Sequence, residues 1–229
     1  MTILKYINEL KLLLRSGQIT DDEVLDNRLI LAWINNQRSL WLKNELNKGR
    51  SDEDNIRQTI NGLELEIVNS SSFSDISCGF NILRTKKDIP RTVELLHRDN
   101  ILTIRNSNML STKFNYTHID KFQYTGNGKF NQSMIFATMY NNKIYLKSHK
   151  VNPTLNLMDY ITITGIFEDP LEAIFLENNI SQLTIDVLNK YEYPLSKGMW
   201  NYMQDAILQS NAKLFIRNEP DTNNNSANS

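Results

Sequence analysis

Cysteine is almost absent from this 229-residue chain: Cys78 stands alone, with no second thiol for an internal disulfide and no CxxC partner for a metal. The protein is therefore expected to suit a reducing cytoplasm. No run approaches the roughly 18 consecutive apolar residues of a membrane span, and Met1-Thr2-Ile3 leads into an amphipathic segment carrying Glu9 and Lys11 rather than into a signal-peptide core. Neither insertion in a membrane nor export through a cleaved leader is expected. Glycine and proline are scarce, 8 and 5 residues, in a composition rich in Asn, Ile and Lys that suggests an AT-rich genome and bears on no chemistry. Histidine is equally sparse. His97, His118 and His149 stand apart, without an HExxH or other paired metal-ligand spacing, and each reads as a surface or edge-strand residue.

Against these absences, a 40% hydrophobic content gives a chain of this length enough material for a substantial core. Net charge is only −1, but it is unevenly spread. Residues 81–150 hold 12 Lys/Arg against 4 Asp/Glu, whereas 151–229 hold 4 against 10. Two readings stand side by side. The two charged regions either neutralise one another within one fold, or they serve contacts with neighbouring chains or with nucleic acid.

The hydrophobic period changes twice along the chain. Ile3, Ile7, Leu10 and Leu14 predict a helix over 2–16, stopped at Gly17. Thr20-Asp21-Asp22-Glu23 has the form of a capping box opening a long helix to Lys48, about 27 residues and roughly 40 Å. Its apolar band, including Leu25, Leu29, Ala32, Trp33, Leu40 and Trp41, is wider than one face. The tryptophans are either internal core or anchors for another chain. Ser51-Asp52-Glu53-Asp54 predicts a short helix through about Thr59.

From Gly62 the period becomes two, with Leu63, Leu65 and Ile67 alternating with Glu64 and Glu66. Further strands are expected at 81–85, 92–96, 100–105, 116–124, 133–140, 143–148 and 158–167, with Asn141-Asn142 as a hairpin turn. After Asp169-Pro170 helical spacing returns over Leu171–Asn178 and again from about Lys197 to Phe215. The expected class is α+β: a helical region at 1–60 with one long helix, an antiparallel β body (sandwich or small barrel) at 61–169, a helical region at 170–217 and a polar tail at 218–229.

Catalytic patterns do not emerge. Cys78 lies in a serine-rich loop without a nucleophile-elbow context, and Tyr124 to Lys129 resembles a phosphate loop only superficially, because Phe130-Asn131-Gln132 and a strand follow instead of a helix N-terminus. Glu64 and Glu66 with Lys147 form a triplet that any β protein with charged outer faces would supply. Glu168-Asp169 suits a turn into Pro170 better than acid–base work. Basic residues interleave with Phe130 and Tyr145, yet no RNP, zinc-finger or helix-turn-helix pattern accompanies them. A non-specific nucleic-acid-binding β module and an uncharacterised enzyme stay open as alternatives. No catalytic, cofactor or metal residue is assigned.

Six strings carry a family likeness: Trp33 to Arg38, Trp41 to Lys48, Leu63 to Val68, Leu83 to Pro90, Gly126 to Asn131 and Ile163 to Pro170. In this order they resemble a virion structural protein of crAss-like podovirus bacteriophages, from the group that forms stacked rings between portal and tail. The likeness covers about residues 20–175 and a tail of similar Asn/Ser/Thr-rich character. It implies a non-enzymatic neck protein, a ring of twelve copies that extends the portal channel, docks the portal, an adjoining ring or tail proteins, and lets DNA pass non-specifically. Assembly would take place in the host cytoplasm, with no membrane partner. Trp33, Arg38, Trp41 and Lys43 are the expected oligomer-interface residues, and Arg84, Lys86, Lys87, Arg91 and Lys129 the basic residues expected to face lumen or neighbour. The hydrophilic tail, with Pro220, Asp221, Thr222 and Asn223, is expected to lie on a partner as an extended strap.

Overall fold

Alternation of apolar and polar residues across the middle of the chain resolves, in a computed structural model, into a single sheet of seven strands. The structure describes residues 1–14, 26–48, 54–69, 81–94, 101–108, 114–126, 128–131, 134–148 and 158–215. The Thr20 capping box, Cys78, His97, His149 and the strap residues Pro220, Asp221, Thr222 and Asn223 lie outside the described residues. Two units can be distinguished, Met1–Leu42 with Thr184–Ser229, and Lys43–Leu183.

The second unit holds β1 (Gln58–Asn69), β2 (Asn81–Thr85), β3 (Ile101–Asn106), β4 (Asn115–Tyr116), β5 (Phe136–Tyr140), β6 (Lys143–Lys147) and β7 (Tyr160–Gly165). Their order is β3-β7-β1-β2-β6-β5-β4. All neighbours pair antiparallel except β4 and β5, so one edge pair departs from the all-antiparallel expectation. At the open seam the Phe114 amide, just before β4, donates to the Ile104 carbonyl of β3 at 3.0 Å, and the sheet becomes a nearly closed barrel.

Curvature is concentrated in β1. Its first half pairs with β7 and its second half with β2, and the register shifts between Ile60 and Leu63. Gly62 sits at that shift with φ +67, a backbone region in which a side chain is strained. The bulge re-aims the strand, so that Leu63 and Leu65 continue into the interior while Glu64 and Glu66 stay outside. Ile60, Ile104, Ile144, Leu146, Ile161 and Ile163 join them in one buried cluster that fills the barrel. Burying each such side chain stabilises the fold by about 1.5–3 kcal/mol. Among the described residues the interior is a packed core of side chains.

Asn141 and Asn142, with φ of 46 and 57, make the tight turn between β5 and β6 that their residue type predicts. The strand expected over 116–124 stops after two residues. Helix α3 (Ile119–Phe122) replaces it, because Phe122 buries itself against Ile82, Phe136 and Tyr145 on the outer face of the sheet. Lys147, itself buried, then donates to the Phe122 and Gln123 carbonyls at 2.8 and 2.9 Å and satisfies the helix end. Of the helix expected over 51–59, residues 51–53 lie outside the described residues and Asp54–Ile56 form a 3-10 turn. Gln58–Ile60 are instead taken into the ladder with β7. Of the strand expected at 92–96 the described part makes one isolated bridge, Thr92 to Phe167. Helix α4 (Pro170–Asn178) starts on Asp169, whose carboxylate accepts from the Leu171 amide at 2.8 Å, and ends at Asn179 in the left-handed region.

In the first unit, α1 (Ile3–Leu14) buries Ile3, Tyr6, Ile7 and Leu10. Helix α2 (Asn27–Asn47) buries Ile30, Ile34, Arg38, Leu42 and Leu46, a stripe of four-residue steps, and the division between units falls within it. Helix α5 (Ile185–Lys190), which the sequence reading did not anticipate, starts on a Thr184 cap. The last helix, α6 (Lys197–Phe215), turns Met199, Trp200, Met203 and Ile207 inward. Tyr6 meets Trp200 edge-on, with centroids 4.6 Å apart, and Trp200 Nε1 donates to Glu9 at 2.9 Å. No helix among the described residues is long and apolar enough to cross a membrane.

Candidate assembly surfaces

The antiparallel register of β1 and β2 sets Glu66 opposite Arg84, and continuing it by two residues sets Glu64 opposite Lys86. Both pairs point outward from the barrel and form cross-strand ion pairs. The Glu66 carboxylate pushes Arg84 further up, as the Glu64 carboxylate does Lys86. Lys143 pairs with Asp88 at 3.7 Å, and Lys87 donates to the Asn179 side chain at 2.5 Å. Part of the basic excess in 81–150 is therefore neutralised inside the chain. Arg91 and Lys129 are exposed.

At the end of the barrel marked by the Asn141-Asn142 turn lies an open groove of about 590 Å³, lined by Lys87, Arg91, Asn142, Glu172, Phe175 and Ile180 among others. Partial desolvation raises the pKa of Glu172; Asp169 and Glu168 add to the rise, and Arg91 opposes it. Cation and anion alternate around this rim without a nucleophile, base and orienting group in mutual reach. The sequence's other polar candidates are dispersed. Glu64 and Glu66 face outward, Lys147 serves α3, Asp169 caps α4, and His118 pairs with Asp120 at 3.0 Å beside α3. No group of three His, Cys, Asp or Glu that could hold a metal occurs among the described residues.

On α2 the expected interface residues separate. Trp33 and Trp41 are half-buried, and Lys43 is exposed, 3.7 Å from Glu94. Arg38 is fully buried: its Nε donates to the Pro194 carbonyl at 3.2 Å and its guanidinium lies 5.8 Å from the Tyr193 ring centroid. The structure thus places Arg38 inside the helical unit and not on a surface open to a neighbour. Its spacing from Ile34 and Leu42 carried that signal, since all three fall on one stripe. Leu29 and Leu40, eleven residues apart and so on the same outward face, remain exposed.

A second apolar surface went unassigned in the sequence reading. Tyr124 and Phe130 are 72% and 86% exposed, and Met134 joins them, beside Lys121 and Lys129. Two large aromatic side chains presented this openly on one short segment mark a contact surface rather than core.

A family model described as phage tail ring protein 2 matches residues 5–229, nearly the whole chain. No curated protein matches it.

Proposed function

We propose, from the premise that this chain belongs to the phage tail ring protein 2 family of crAss-like phages, that it is a non-catalytic subunit of a closed ring in the portal-to-tail neck. The family is a structural one and points to a component of the virion. The finer reading is a ring of twelve copies that extends the DNA channel and docks the portal, an adjoining ring or tail proteins, assembled in the host cytoplasm. The observation that carries it beyond the family match is the filled barrel. A subunit whose described barrel interior is filled with side chains suits a channel bordered by several copies standing side by side.

Ring closure requires two different complementary surfaces on each subunit. The outward face of α2 with Leu29, Trp33 and Leu40 is proposed as one element of such a contact, and Trp41 and Lys43, elsewhere on the same helix, as further contact residues. Arg91 and Lys129 are the cations proposed to face lumen or neighbour, while Arg84 and Lys86 are paired with Glu66 and Glu64, and Lys87 keeps its charge while hydrogen-bonded to Asn179. A lumen that lets DNA slide needs phosphate-level attraction without base readout, and a partly neutralised basic face suits that task. The same pairing disfavours a free-standing DNA-binding module. The tail at 218–229 is proposed as a strap on an adjoining protein.

Electron microscopy of the purified chain tests the reading. Annular particles with a central opening are expected, and a field of separate subunits at every concentration would contradict it.

A further inference from the structure

The exposed aromatic segment and the open groove lie at opposite ends of the same strand. Phe136, the first residue of β5, pairs with Lys147, whose ammonium holds the Phe122 and Gln123 carbonyls, and so fixes the neighbouring Tyr124 at that end. Phe130 precedes the same strand start by six residues, and the Met134 amide donates to the Asn131 carbonyl at 3.1 Å. The other end of β5 runs into Asn141-Asn142, and Asn142 lines the groove and accepts from the Ile89 amide at 2.6 Å. Five residues of strand separate the two, on the order of 17 Å.

We propose that Phe130, flanked by Lys129, inserts into the groove of a second copy of this chain, over Phe175 and Ile180, with Lys129 meeting Glu172 at the rim. This deepens the ring reading and rests on it. Three observations favour a second copy as occupant. The two patches differ from one another and lie at opposite ends of β5, as a heterologous contact allows, and such a contact forms a ring where its rotation closes. Their chemistry is complementary, an apolar aromatic knob for a groove with an apolar floor. At the rim, where Lys87 and Arg91 stand with Asp88 and Glu172, the exposed Glu172 carboxylate is the group offered to a cation. Glu172 sits in a field of acidic neighbours, Asp169 and Glu168, which Arg91 only partly offsets, and a cation from outside relieves it.

The test compares the wild-type chain with Phe130→Ser, Lys129→Glu, Glu172→Lys and the double swap Lys129→Glu/Glu172→Lys. Mass photometry across concentration reads the midpoint of ring dissociation. Circular dichroism checks that each variant is folded, and Phe130 is too exposed for its loss to unfold the subunit. Phe130→Ser is expected to raise the midpoint at least tenfold, the size of effect that follows loss of an aromatic anchor. Each single charge reversal weakens the ring, and the double swap recovers it. Wild-type rings with an unchanged midpoint in Phe130→Ser would overturn the docking while leaving the ring intact. Weakening in all variants without recovery in the swap would overturn the groove as the acceptor. A wild-type chain that never oligomerises removes the ring reading itself, and the docking with it.

Discussion

If the barrel is a packed core rather than a conduit, both removing and adding interior volume must cost stability. Leu146 on β6 is fully buried in the central cluster, and Ala137 on β5 is its direct cross-strand partner, also fully buried. Leu146→Ala removes three carbon atoms from that core, a transfer loss of about 2.4 kcal/mol. A residual cavity on the order of 50 Å³ adds about 1.2 kcal/mol. The expected total, about 3.6 kcal/mol, is a ~400-fold fall in the folding constant. Ala137→Leu makes the opposite error and costs about 1–3 kcal/mol through displaced rotamers and backbone. Trp33, Trp41 and Trp200 all belong to the helical unit, so urea unfolding should be followed by tyrosine emission and far-ultraviolet circular dichroism. A Leu146→Ala cost below about 1 kcal/mol together with a neutral Ala137→Leu would show spare interior volume and refute the packed-barrel argument.

Three further perturbations probe separate parts of the account. Asn142→Val forces a β-branched residue into positive φ and should cost about 1–3 kcal/mol by thermal melting, whereas Asn142→Gly should be tolerated. Arg38→Ala leaves the Pro194 carbonyl without its buried donor and should cost about 1.5–3 kcal/mol by tryptophan-detected denaturation; Lys43→Ala, at an exposed pair, should cost at most about 1 kcal/mol. Desolvation and the nearby Asp169 and Glu168 raise the folded pKa of Glu172, so its contribution to stability is complete below the unfolded carboxylate pKa and is lost as pH rises through the folded value. The urea midpoint of Glu172→Gln should therefore match the wild type in acid and exceed it at neutral pH.

Where a local rule and the tertiary context agree, the fold was legible in the sequence. The alternation at Leu63 to Glu66, the Asn141-Asn142 turn and the Asp169-Pro170 start of α4 each satisfy backbone geometry with their own residues and stand in the structure as their patterns require, whereas Ile67, the next apolar residue of the alternation, is exposed. The misses have tertiary causes. Residues 116–124 read as a strand, but burying Phe122 on the outer sheet face and capping by Lys147, distant in sequence, favour a helical turn. Gln58 and Thr59 read as helix until β7 supplied a ladder for them. Helix α5 carries too short an apolar stripe to declare itself, burying only Val187 and Leu188.

The assembly surfaces were legible in composition more than in position. The basic excess at 81–150 is real, yet which cations meet a carboxylate depends on the β1–β2 register, a pairing between strands that are apart in sequence. Arg38 shows the reverse case. It was expected at an oligomer interface, while its four-residue spacing from Ile34 and Leu42 already placed it on the buried stripe. Phe130 illustrates a third limit, since exposure of an aromatic side chain follows from what fails to pack on it, and that is a property of the whole unit.

The central claim, a closed ring of identical copies, is tested most directly by the native mass of the assembled chain. The account predicts one dominant species at twelve times the 26.6 kDa subunit, persisting across dilution until the ring dissociates. A chain that remains at the subunit mass at all concentrations, or an open-ended ladder of masses without a closed member, would contradict it.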